Sequence, residues 1–195
     1  MPISVIPGFL LYCFITAITP GPANLCSLSA AVHYGPAAAL RQWRGLLTGF
    51  FIDSMAAVLL NRLLGSVLGV YVRYLTWIGA AYILWMAWGM LRAAGADPAE
   101  ETRRPSFLTG LIVNLTNGKV ILYCITTLSA FVLPYTDSWA WLFGVGLFLV
   151  FTGPACNLVW IFAGGKLKQL FAAHQKTVDI VMAIALALCA VNLLL

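Results

Sequence analysis

The sequence predicts an all-α polytopic membrane protein with six transmembrane helices and both termini outside. Three observations carry that prediction: an apolar composition, a series of charge-free runs of spanning length, and a lopsided placement of basic residues. Of 195 residues, 62% are apolar and 9% are charged, and the mean hydropathy is +0.95. A soluble domain is about a quarter charged, so there is too little polar surface here to cover a water-exposed globule. A soluble enzyme, a nucleic-acid binder and a disordered chain are excluded on that ground. The net charge of +5 fits basic loops on the cytoplasmic side of a bilayer. The expected surroundings are therefore lipid, with no nucleic-acid partner.

The charge-free runs give the spans in order. Residues 1–40 carry no formal charge and hold the first helix, expected at about Ile6 to Ser29. The second run, Gly45 to Leu60, is interrupted only by Asp53, and Arg62 follows it. Tyr74 to Leu91 is clean, and Phe107 to Leu133 contains only Lys119. Ser138 to Gly165 is clean over 28 residues, and Ile180 to Leu195 closes the series. A crossing takes about 20 apolar residues, so six is the natural count. His33-Tyr34-Gly35-Pro36 breaks the chain after the first span, because proline lacks a donor and disfavours helix in the residue before it. Pro134-Tyr135-Thr136-Asp137 reads as a tight turn.

Loops one, three and five carry Arg41, Arg44, Arg92, Arg103, Arg104, Lys166, Lys168 and Lys176, while the other side has only Arg62 and Arg73. The positive-inside rule then places the odd loops in the cytoplasm and both termini outside. Trp77, Trp139 and Trp141 fall at the outer interface, with Trp85 and Trp88 toward the inner one. Residues 1–195 form a single domain, whose halves 1–95 and 105–195 are joined by a cytoplasmic loop. Each half has three spans, so a repeat between them would be inverted, a 3+3 arrangement frequent among secondary transporters. Thr19-Pro-Gly-Pro-Ala-Asn-Leu25 and Thr152-Gly-Pro-Ala-Cys-Asn-Leu158 look alike. Spans one and five are not equivalent in that scheme, so the likeness reads as coincidence.

Cys13, Cys26, Cys124, Cys156 and Cys189 all lie in apolar runs, without metal-ligand or disulfide spacing. They read as small buried hydrophobes. No Lys or Arg precedes the first apolar run, so it lacks the charged start of a signal peptide and is expected to be retained.

Polar residues inside the spans carry the chemistry. Span one contains Thr19-Pro20-Gly21-Pro22-Ala23-Asn24. Two prolines remove two backbone donors, and unpaired backbone at membrane depth is tolerated only against protein or a water-filled cavity. A broken helix offers N–H and C=O groups that suit a zwitterionic solute. Asn24 adds a side chain that both donates and accepts. Span four contains Asn114 and Asn117-Gly118-Lys119, with Tyr123 one turn further along the same face. A lysine at mid-membrane costs roughly 2.5–3.5 kcal/mol, so it faces a cavity or a partner. Pro20, Gly21, Pro22, Ala23, Asn24, Asn114, Asn117, Lys119 and Tyr123 are thus the candidate substrate-binding residues. In span two, Gly45-x-x-x-Gly49 reads as a close-packing face, and Asp53 lies one turn on. Asp53 is the candidate for a coupling proton or a substrate ammonium; pairing with Lys119 or Arg62 is the plainer alternative. Tyr82 and Asn157 are candidates for lining a polar interior.

Thr19-Pro20-Gly21-Pro22 together with Asn117-Gly118-Lys119 resembles the LysE/RhtB family of amino-acid exporters, and Gly79-Ala80-Ala81-Tyr82 and the six-span layout support the likeness. Several stretches look most like its cysteine/O-acetylserine exporter branch. The resemblance implies a secondary transporter in the bacterial inner membrane. It would export small amino acids such as cysteine or O-acetylserine from the cytoplasm, coupled to protons. Two departures stand out. Gly118 occupies the place of the family's usual proline, which implies a softer break in span four. Ala23 stands where Asn or Asp commonly follows the Thr-Pro-Gly-Pro motif, so a side-chain role passes to Asn24.

An importer or exchanger of another small solute on the same fold is the leading alternative, since direction leaves no motif. A non-transporting membrane subunit would need neither a buried lysine nor a broken helix. An enzyme would need a nucleophile with a base, whereas the chain has two loop histidines, His33 and His174, and one deep acid. No enzymatic activity, cofactor or metal is expected. The Gly45/Gly49 and Gly65/Gly69 pairs allow a homodimer.

Overall fold

A computed structural model describes residues 2–19, 21–93 and 104–174, with isolated helical positions between 177 and 187. Few side chains between 64 and 93, and none between 165 and 173, are described. Among the described residues every regular element is helical. A short 3-10 turn, Ile3–Val5, leads into α1 (Ile6–Ile18), followed by α2 (Pro22–Tyr34) and α3 (Pro36–Ala93). After the midpoint come α4 (Phe107–Leu115), α5 (Gly118–Phe131) and α6 (Trp139–Ala173).

Pro36–Leu63 and Trp139–Gly164 are each long and apolar enough to cross a membrane. The pairs α1/α2 and α4/α5 are bent by 46° and 56°, and each pair is long enough for one further crossing. These four correspond to the expected spans one, two, four and five. Tyr82, the midpoint loop 95–103 and span six lie wholly or largely outside the described residues or side chains, as does Cys189.

Span one is broken, as its prolines imply, and comprises two helices. Two expectations are corrected. Gly35 ends the second helix of span one at φ +84°, a left-handed conformation natural to glycine, and Pro36 starts α3 at once. Arg41 and Arg44 therefore lie on α3 rather than in a loop, just as Lys166 and Lys168 lie on α6. Finally, α3 runs through Arg62 to Arg73 without a turn. No proline interrupts that stretch, and isolated glycines such as Gly65 and Gly69 cost only about 1 kcal/mol each in a helix. At about 1.5 Å per residue, its 58 residues far exceed the thickness of a single crossing.

Glycines let the elements approach closely. A Cβ at Gly45 would stand 1.9 Å from the Phe107 carbonyl oxygen, and one at Gly110 would stand 2.0 Å from that of Gln42. Gly49 meets Asn114 in the same way. The expected Gly45/Gly49 face thus packs on α4 of the same chain. Toward the other end, Ser54 Oγ donates to the Gly146 carbonyl at 2.8 Å, tying α3 to α6. Phe9, Cys13, Phe50, Tyr123, Cys124, Leu128, Leu142 and Leu149 form the apolar core between α1, α3, α5 and α6. Large apolar residues such as Phe14, Leu63 and Phe151 remain exposed, as lipid-facing positions do.

Candidate functional site

The two helix breaks meet at the centre of this packing. Proline has no N–H, so Pro20 and Pro22 leave α1 without its last helical donors. Pro20 itself lies outside the described residues, while Gly21 holds an extended backbone before α2. In the second half, α4 ends at Leu115, and Asn117 starts α5 by accepting the Lys119 backbone N–H on its side chain at 3.2 Å. A side-chain cap of this kind fixes a new helix start without any proline. The α4/α5 pair is bent by 56°, against 46° for the proline-bearing break, so span four bends sharply without a proline.

Lys119 crosses from one break to the other. Its Nζ donates to the Thr19 carbonyl at 2.8 Å, at the C-terminal and hence electronegative end of α1. Gly21 makes room for it, since a Cβ there would come within 3.0 Å of Lys119 Cδ and 3.3 Å of Nζ. Asn24 Nδ2 donates to the Ala17 carbonyl at 3.0 Å and to the Thr19 carbonyl at 2.9 Å. Asn157 Nδ2 donates to Asn24 Oδ1 at 2.8 Å, and Ser27 Oγ donates to Asn157 Oδ1 at 2.8 Å. These three side chains are buried, where an unmet polar group costs about 1–3 kcal/mol. Trp160 Nε1 donates to the Ile18 carbonyl at 3.0 Å. Side chains of α2, α5 and α6 thus cap most of the carbonyls that the break exposes.

Around these groups lies a cavity of about 50 Å³. Gly21, Ala23, Asn24, Asn114, Asn117, Lys119 and Tyr123 all line it, as does Asn157. Pro22 is not on the wall; it opens α2, where it dispenses with one N–H that would have no helical partner. Asp53 is also off the wall. Its Oδ2 accepts from Asn114 Nδ2 at 3.0 Å, so Asn114 stands between the carboxylate and the cavity. Tyr123 is buried and, among the described residues, its hydroxyl has no hydrogen-bond partner. The side chain of Tyr82 is not described.

Thr16, Ala17, Leu46, Phe50, Val120, Gly153 and Pro154 also line the cavity and were not singled out from sequence. A signal for two of them existed. Gly153-Pro154 belongs to the segment that resembles Thr19–Leu25, and the two segments meet through Asn24 and Asn157. What read as coincidence marks two facing surfaces of one site.

A helical, lipid-adapted chain whose two broken helices enclose a small polar cavity with a lysine at its edge belongs to the class of membrane translocators. Comparison with known proteins makes this specific. The family model of the LysE type translocator matches residues 14–195, and the chain belongs to that family. It is 34% identical over 190 residues to the cysteine/O-acetylserine efflux protein of Escherichia coli O1:K1 / APEC, with 97% of both chains covered. A protein of the same name from Salmonella choleraesuis (strain SC-B67) is 34% identical over 189 residues, again covering 97% of each. No solved structure matches the chain.

Proposed function

We propose that the protein exports small neutral amino acids, cysteine and O-acetylserine foremost, from the cytoplasm across the bacterial inner membrane. The observation that carries this is Lys119 held between two helix breaks on the wall of one cavity. Its ammonium suits a substrate carboxylate. The first turn of α2 adds to that attraction: it has no side-chain cap, and its Ala23 and Asn24 N–H groups have no helical partner. The efflux relatives supply the substrate names.

The cavity of about 50 Å³ holds a few waters, well short of the roughly 300 Å³ and more of ordinary ligand pockets. Loading therefore requires the halves to part, and an inverted 3+3 arrangement provides the rocking that does so. Both halves open with a broken helix, which supports that repeat. Six spans follow if 74–91 and 180–195 each cross once. Arg41, Arg44 and Arg104 lie near the end of the bundle where α3 and α4 begin. Arg62 packs over Trp139, 5.5 Å from the ring centroid, at the other end. That polarity supports a cytoplasmic first end and external termini. Asp53 is the candidate for the coupling proton, because protonation removes a costly charge from a span.

The test is efflux of labelled cysteine, O-acetylserine, threonine, homoserine, leucine and lysine from preloaded cells. The chain is expected to accelerate loss of the first two, and Lys119→Ala to abolish the effect with protein still in the membrane. Asp53→Asn should leave efflux insensitive to an imposed pH gradient. Unchanged gradient dependence would remove Asp53 from that role, and no acceleration of any solute would refute amino-acid export.

A further inference from the structure

We propose that the α-ammonium of the substrate docks on the backbone carbonyl of Thr16. This rests on the reading that the cavity takes an α-amino acid, and it names the group that takes the end of the substrate opposite Lys119.

Of the carbonyls from Ile15 to Thr19, all but one meet a donor among the described residues. A helix leaves the carbonyls of its last turn without intrahelical partners, and at membrane depth each must be met. The Ile15 carbonyl accepts from the Thr19 N–H at 3.0 Å and from the Thr19 hydroxyl. The Ala17 carbonyl takes Asn24, and the Ile18 carbonyl takes Trp160. The Thr19 carbonyl takes both Asn24 and Lys119, which uses its two lone pairs. Thr16 is left over. Its regular partner is the N–H of residue 20, and proline has none. Among the described residues no donor is recorded on it.

Thr16 lines the same cavity as Lys119 and Gly21. Helix carbonyls point toward the C-terminal end, so its oxygen is directed at the break, on the electronegative side of the α1 dipole. Thr16 lies three residues before Thr19, whose carbonyl binds Lys119, and both stand at the break. A molecule with carboxylate and ammonium on one carbon can bridge that interval, its acid toward Lys119 and α2 and its ammonium toward α1. The rival anion, Asp53, is already occupied by Asn114 and is not on the wall.

Pro20→Ala supplies an N–H that caps Thr16 while favouring the helix. Pro20→lactic acid, introduced by nonsense suppression, changes the ring but supplies no N–H. The full chain in proteoliposomes would be assayed for inhibition of labelled cysteine transport by cysteine and by 3-mercaptopropionate, which lacks the ammonium. Pro20→Ala is expected to weaken cysteine about tenfold or more while moving 3-mercaptopropionate less than about twofold, the scale of one lost charge-assisted hydrogen bond. Pro20→lactic acid should lose clearly less of the preference for cysteine than Pro20→Ala. Equal weakening of both inhibitors, no weakening of cysteine, or a lactic acid variant that behaves like the alanine variant would each overturn the assignment. So would a cysteine-selective loss in Asp53→Asn. A wild-type chain that moves none of these solutes would overturn the transport reading, and this subsite with it.

Discussion

A side-chain carbon at position 21 would stand against Lys119, 3.0 Å from Cδ and 3.3 Å from Nζ. Gly21 itself has φ −161° and ψ 176°, an extended backbone that any residue adopts, so a substitution there acts through crowding and leaves the chain path alone. Gly21→Val is expected to push Lys119 off the Thr19 carbonyl and cut efflux by on the order of tenfold to a hundredfold. Immunoblots of isolated membranes should show normal amounts of protein, and wild-type efflux would contradict the placement of Lys119. Lys119, Asn24, Asn114 and Asn117 were legible in the sequence because a polar residue in a long apolar run is expensive and therefore conspicuous. Thr16, Leu46, Phe50 and Val120 were not, since nothing in their chemistry separates a cavity wall from a lipid-facing surface. Asn157 lay in between. Its segment repeats the span-one motif, but only the packing of α6 against α2 gives the likeness a meaning.

The elements owe their arrangement to glycine faces more than to amphipathic stripes, because lipid offers no hydrophobic drive for helices to associate. Gly45 and Gly110 bring backbone against backbone, with Cβ-to-oxygen distances of 1.9 and 2.0 Å that no side-chain motion can relieve. Gly110→Ala is expected to cost about 1–3 kcal/mol or more by forcing α3 and α4 apart. A lowered thermal unfolding midpoint in detergent would report it. Gly144→Ala is the matched control, because nothing lies within 4 Å of a Cβ built there; it should leave the midpoint unchanged or raise it slightly, since alanine favours helix. Similar midpoints for the two variants would mean that the α3/α4 contact is not what holds these helices. The break in span four belongs to this scale too. Asn117 caps the new helix and bends the pair by 56°, which the missing proline had concealed.

At the scale of the molecule, the positive charge near the starts of α3 and α4 and the Arg62–Trp139 pair near the start of α6 give the bundle two unlike ends. Impermeant labelling of intact cells should reach a tag at either terminus and miss a tag inserted between 98 and 101. Labelling of the midpoint tag with silent termini would invert the topology and with it the direction of every site described here. Either result bears on mechanism, because an exported substrate enters at whichever end of the bundle faces the cytoplasm. The narrow cavity, at about 50 Å³, makes widening of the site part of any transport cycle.

Composition, charge-free runs and the lopsided basic residues were sufficient to establish a helical membrane protein, and the Pro-Gly-Pro and Asn-Gly-Lys segments marked where two helices would break. Those are properties of consecutive residues, set by insertion cost and by missing backbone donors. The tertiary structure alone decided which polar groups meet. Lys119 binds a carbonyl 100 positions away and Asn157 an amide 133 positions away. Spacing along a helix relates only residues three or four apart, and such distant pairs depend on how closely the glycine faces let the helices approach.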